Sequence, residues 1–170
     1  KMPDHIDAIH HMAMITSEKG SYKKARDLWD QAVRIGRAAF PAEFEPGKDR
    51  IPWLALDNRP FLRALHGLAL AVFVDGDLEE ALKLFRELLS LNPNDNQGAR
   101  ATAVGILLEL GRFKEALEIT DGYRNDFITE TLYGRALALF RLGRTRSADV
   151  ALQKALLSLP RVGKELIKKS

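Results

Sequence analysis

The sequence predicts an all-α chain, an array of stacked helix–turn–helix pairs. Two observations carry this. Four glycines, Gly20, Gly76, Gly111 and Gly143, each separate two amphipathic stretches whose apolar residues recur at helical spacing. Around each glycine the same residue classes return at the same offsets. Ala13, Ala69, Val104 and Ala136 stand seven before, and Ala25, Ala81, Ala116 and Ala148 stand five after.

Each offset has a physical role. A glycine tolerates the left-handed turn that ends one helix and opens the next. Small residues on either side let the two antiparallel helices approach closely. Tyr22, Leu78, Phe113 and Thr145 at plus two, with Trp29, Phe85, Thr120 and Leu152 at plus nine, fill the space towards the next pair. Pro93 and Pro160 close two of the units, because proline cannot continue a helix. Asp77-Leu78-Glu79-Glu80 reads as a capping box, with Asp77 as N-cap and Glu80 reaching back.

This set of signals resembles the tetratricopeptide repeat (TPR) family. The resemblance implies a superhelical array of about four repeats, near residues 6–39, 62–95, 97–128 and 129–161, in a single domain over 1–170. An insert at 40–60 separates the first two repeats, and a partial helix at 161–170 follows the last. The match is strongest in 62–95 and weakest in 97–128, where Thr120 and Tyr123 replace the expected residues and Gly98 and Gly105 lower helix propensity. A narrower block covers 32–100: Trp53, Asp57-Asn58-Arg59-Pro60, Arg63-Ala64, Gly67-Leu68-Ala69 and the run Leu91 to Gly98. It is similar to a group of prokaryotic TPR proteins sometimes linked to the suppressor-of-tumorigenicity TPR family, and it implies no activity.

Composition excludes several classes. No apolar run approaches the roughly 18 residues of a membrane-spanning helix. The absence of cysteine rules out disulfides, thiolate metal sites and a thiol nucleophile. Residues 129–170 hold nine Lys or Arg against three Asp or Glu, so the basic character belongs to the last quarter. That quarter reads first as a solvated face, then as a surface for an acidic protein; nucleic acid is disfavoured, since Tyr133 and Phe140 lie at core spacing. A cytoplasmic location is the expectation.

In the insert, Phe40-Pro41 and Glu45-Pro46-Gly47 break the helix, and Ile51-Pro52-Trp53-Leu54 is apolar. It reads as a segment packing Trp53 and Leu54 on the next helix, with a lid over the groove as the alternative. Asp4, His5, Asp7, His10 and His11 form the only metal-like cluster, and a solvated helix face with incidental histidines is the preferred reading of them. His66 has no carboxylate at helical spacing and reads as a groove or packing residue. Asn92 to Gln97 lacks the glycine and glutamate of a calcium loop, so Asn94 and Asp95 read as turn and N-cap residues. No nucleophile elbow or phosphate loop is present. These readings leave no metal, no cofactor and no enzyme.

The TPR resemblance implies that the first helix of each pair lines a concave groove. The candidate partner-binding residues there are Arg63, His66, Phe73, Arg100, Tyr133 and Phe140. The arginines would meet an acidic group and the aromatics an apolar anchor. A rival account makes both arginines internal partners of Asp57 or Asp95. The clamp of chaperone-binding TPR domains is missing, since Asp7, Met14, Leu70, Gly98 and Glu130 occupy its positions. A protein or peptide partner is therefore expected, with self-assembly through the chain ends as the alternative and a nucleic-acid role third.

Overall fold

The computed structural model describes residues 3–45 and 47–168. Pro46 and Lys169, and the side chain of Asp4, lie outside the described residues. Two compact units form, Lys1–Ala99 and Arg100–Ser170.

The first unit holds α1 (Pro3–Glu18), α2 (Tyr22–Ala38), α3 (Arg59–Val74) and α4 (Leu78–Leu91), with one 3-10 turn at Leu56–Asn58. The second holds most of α5 (Ala99–Glu109), then α6 (Phe113–Gly122), α7 (Thr129–Arg141), α8 (Thr145–Ser158) and α9 (Pro160–Lys168). The four pair-turn glycines have φ of 78°, 86°, 70° and 72°, the left-handed turns that the repeat requires. The small flanking residues are buried: Ala13, Ala25, Ala69, Ala81, Val104 and Ala116 are wholly enclosed, and Ala136 and Ala148 nearly so. The chain is thus an all-α helix–turn–helix array of the TPR type.

In the first unit, α1 packs on α2 and α3, α2 on α3, and α3 on α4. Two further glycines set the spacing: a Cβ on Gly36 would fall into the Phe61 ring, and one on Gly67 into the Trp29 indole. Phe85, Leu62, Leu65 and Leu82 fill the core between α3 and α4. In the second unit, α6 packs on α7, α7 on α8 and α8 on α9. Gly134 lets α7 approach Leu108 and Val104 of α5.

Several local expectations are corrected. The Asp77 carboxylate accepts from the Glu80 amide at 3.1 Å, but the Glu80 carboxylate turns to Lys83 and does not reach back. Half the capping box forms. Gly98 stands at φ 76°, just before α5, so it costs that helix nothing. Asp95 accepts from the Ala99 amide at 2.7 Å and opens α5, as the turn reading requires. Thr120, counted as a packing defect, is 2% exposed, with its hydroxyl donating to the Leu117 carbonyl at 3.1 Å.

The insert is held at helix ends. Phe40 meets Phe61 at 4.9 Å, and the Ile51 amide donates to the Leu91 carbonyl at 2.8 Å. The Arg59 guanidinium lies over the Trp53 ring at 5.1 Å, while its Nε donates to the Trp53 carbonyl. Trp53 packs as expected and Leu54 does not, remaining exposed to solvent.

Candidate interaction surfaces

Residues ten before and nine after a pair-turn glycine stand nearly level on the two antiparallel helices. His10 and Trp29 flank Gly20 in this way, and the buried Trp29 Nε1 donates to His10 Nδ1 at 3.1 Å. His66 and Phe85 flank Gly76 likewise, with ring centroids 6.0 Å apart, edge to face. Burial, with help from His11 and Arg63, pushes the His10 imidazole down to about 4. Burial lowers His66 too, against the pull of Asp95. Both rings are therefore neutral near pH 7, and His10 in that state accepts the indole proton.

The neutral ring has a stability consequence. A folded pKa below the unfolded 6.5 means that the unfolded chain binds more protons between about 6.5 and 4. Stability should be full above 6.5 and fall through that window, at no more than about 1.4 kcal/mol per pH unit for one proton. His66 adds to the same limb. Denaturant unfolding from pH 7.5 to 4.5 checks this: His10→Gln, which keeps an acceptor without a titrating ring, should flatten the slope.

Beside His10, Arg63 of α3 donates to Asp7 of α1 at 2.8 Å, and His11 Nε2 lies 3.8 Å from the same carboxylate. Among the described residues, no group of three or more metal-ligating side chains could hold an ion. The Arg63 Nε is buried without a hydrogen-bond partner, while the side chain as a whole is a third exposed. Phe73 is half-buried.

In the second unit, Arg100 grips Asp126 with two hydrogen bonds, 2.6 and 2.9 Å, in a nearly dry setting. Thr131 and the Phe127 amide also donate to that carboxylate, both at 2.8 Å. Led by the Arg100 hydrogen bonds, these hold Asp126 at about 2 despite burial. Arg100 also stacks over Tyr123 at 4.8 Å. Tyr133 donates to the Leu159 carbonyl at 2.8 Å and so ties α7 to the start of α9. Phe140 is 62% exposed and Leu137 47%. Both border an apolar groove of about 490 Å³ whose other walls include Leu108, Tyr133, Leu152 and Leu166.

The six sequence-predicted residues thus divide. Phe140 and Tyr133 share the groove in the second unit, and Arg63, His66 and Phe73 lie together on α3. Both arginines already hold carboxylates within the chain, as the rival account requires: Arg63 that of Asp7 and Arg100 that of Asp126. The His10–Trp29 bond was missed, although the near-equal distances of the two residues from Gly20, ten and nine, were a signal for it.

The family described as Transcriptional repressor TCF25 matches residues 1–170. The chain belongs to the Tcf25 family. The family matched over the whole chain is Tcf25 and not the prokaryotic group expected from residues 32–100. A curated relative, the probable transcription factor claV of Ampulloclitocybe clavipes, is 28% identical over 95% of this chain. The match takes in 24% of that protein's length. Among solved structures, the double mutant "MamA RS-1 ArsTM" aligns over 94% of this chain and 78% of its own, with TM-score 0.70 at 19% identity. YrrB, described as a TPR protein with an unusual peptide-binding site, aligns over 95% and 73%, with TM-score 0.65 at 20% identity. At such identities the likeness speaks for the fold of this Tcf25-family chain. No helix among its described residues is long and apolar enough to cross a membrane.

Proposed function

We propose that this chain is a non-catalytic protein-interaction module in a transcription-linked protein, and that it takes a peptide by an apolar anchor on the α5/α7 side of its second unit. The observation that carries the reading is the open apolar groove, where Phe140 and Leu137 stay exposed although core positions surround them. Large apolar side chains left open around a concave opening mark interaction sites. The peptide-binding site in the description of YrrB is consistent with this use of the fold. The family and the name of the fungal relative favour work in the nucleus over the cytoplasm expected from the sequence. Arg63 and Arg100 serve mainly as internal partners of Asp7 and Asp126, each within its own unit, and His66 and Phe73 supply a lesser contact surface on α3.

Peptides selected from a display library against the 170-residue chain test the reading. They should share an apolar residue and lose at least about tenfold in affinity, or 1.4 kcal/mol, on Phe140→Ser, with melting unchanged. Binding indifferent to Phe140→Ser and Leu137→Ser would refute it. Self-assembly is the second reading, favoured by Leu157 and Ile167, which stand 85% and 74% exposed on α8 and α9. A sedimentation coefficient that rises with concentration and stops doing so on Leu157→Ser would establish that alternative.

A further inference from the structure

The opposite face of α7 carries a second opening that the groove does not use. Leu132, Arg135 and Leu139 of α7 form its floor, and Arg146, Val150 and Lys154 of α8 form one wall. Thr120 and Arg124, from α6 and the turn after it, stand across a cleft of about 510 Å³.

Its charges are unbalanced. Arg124 and Arg135 share one carboxylate, that of Asp121, at 3.1 and 2.8 Å. Asp126, also in the lining, is committed to Arg100. Lys154 donates to the Arg124 carbonyl and pairs with no carboxylate among the described residues. Arg146 has no hydrogen-bonding or ion-pair partner for its side chain there.

The placement of Arg146 works against the helix that carries it. α8 begins at Thr145 without an acidic residue in its first turn, and its N-cap Arg144 makes no side-chain cap. Cations at this positive end of the helix dipole are unfavourable, typically by about 0.3–1 kcal/mol. α4 shows the ordinary solution, with Asp77 as cap and Glu79 and Glu80 in its first turn. An anion seated beside Arg146 would relieve both the excess charge and the dipole.

The geometry also contains an apolar element. Arg146, Val150 and Lys154 recur every four residues, so they line up along one face of α8. The outer two are about 12 Å apart at 1.5 Å per residue. Four residues of extended chain cover about 13 Å. Val150, 68% exposed, lies between the two cations beside the floor of Leu132 and Leu139.

We propose that this cleft docks an extended acidic peptide in which an apolar residue lies between two carboxylates, the carboxylates meeting Arg146 and Lys154 and the apolar residue meeting Val150. A nucleic-acid strand fits less well. The floor is aliphatic, and the one aromatic ring in the lining, Tyr123, is covered by the Arg100 guanidinium, so no stacking platform is offered. This site lies across α7 from the groove of the proposed function and stands independently of it.

Fluorescence anisotropy with a labelled peptide, Gly-Asp-Glu-Ser-Leu-Ser-Glu-Asp-Gly, tests the proposal on the whole chain. Binding should weaken as salt rises and fall at least about tenfold in the double variant Arg146→Glu, Lys154→Glu. Val150→Ser should weaken it without touching any charge, and circular dichroism should show both variants folded. Phe140→Ser should leave it unchanged, which separates this site from the groove. The proposal is overturned if the amide analogue Gly-Asn-Gln-Ser-Leu-Ser-Gln-Asn-Gly binds equally well, or if the charge reversals have no effect. It is overturned as well if oligothymidylate binds more tightly than the peptide through the same two side chains.

Discussion

Replacing Asp126 with alanine is expected to destabilise residues 100–170 by about 3 kcal/mol, whereas Arg63→Ala should cost about 1 kcal/mol or less. Both arginines pair with an aspartate, and burial separates them. The Arg100 and Asp126 side chains are 15% and 5% exposed, against 34% and 29% for Arg63 and Asp7. Removing Asp126 takes the bidentate carboxylate from a nearly dry guanidinium and strips the Phe127 amide of its acceptor, while the Thr131 hydroxyl keeps the Ile128 carbonyl at 2.9 Å. Losing Arg63 breaks a half-wet pair and also removes a buried Nε that has no partner. The acid limb follows with a defined sign. Asp126 is held at about 2, below its ordinary 3.8, so its stabilisation is present above about pH 4 and lost as pH falls towards 2. Amide exchange should rise across 100–170 in Asp126→Ala and hardly change in Arg63→Ala. Equal effects would mean that burial does not set the worth of these pairs.

How much of this was legible depends on the range of each interaction. The turns and the packing of Ala25, Ala81 and Ala116 follow from local periodicity, because a repeat places the same residue class at the same point of the same hairpin. The Arg100–Asp126–Thr131 cluster does not, since it joins the start of α5 to the loop before α7, and no spacing rule links them. Arg63 and Asp7 are likewise 56 residues apart, with the whole insert between them. Thr120 was misjudged because a missing large side chain looks like a hole in the sequence. In the structure its hydroxyl bonds to Leu117 and accepts from Arg135 at 3.2 Å. The basic last quarter was visible as composition, but its division between an apolar groove and a charged cleft needed the two faces of α7.

The plus-nine position offers a graded test of the repeat itself. Trp29, Phe85, Thr120 and Leu152 occupy equivalent places, yet they stand 8%, 0%, 2% and 42% exposed. Trp29→Ala and Phe85→Ala should each cost about 3–5 kcal/mol, from lost aromatic burial and the cavity left behind. Trp29 also takes its indole donor away from His10. Thr120→Ala should cost about 1 kcal/mol, since it removes only one small hydroxyl and one methyl and Arg135 retains Asp121 at 2.8 Å. Leu152→Ala should cost less than that, because the side chain borders the open groove and leaves no enclosed cavity. Denaturant midpoints of the four variants give the order, and amide exchange shows where each loss falls. Trp29 and Phe85 should loosen α1–α4, and Leu152 should leave them untouched. Four equal costs would mean that the repeat is held by its small-residue contacts alone. The largest cost at Leu152 would mean that the groove is closed in solution, and the peptide site proposed there would go with it.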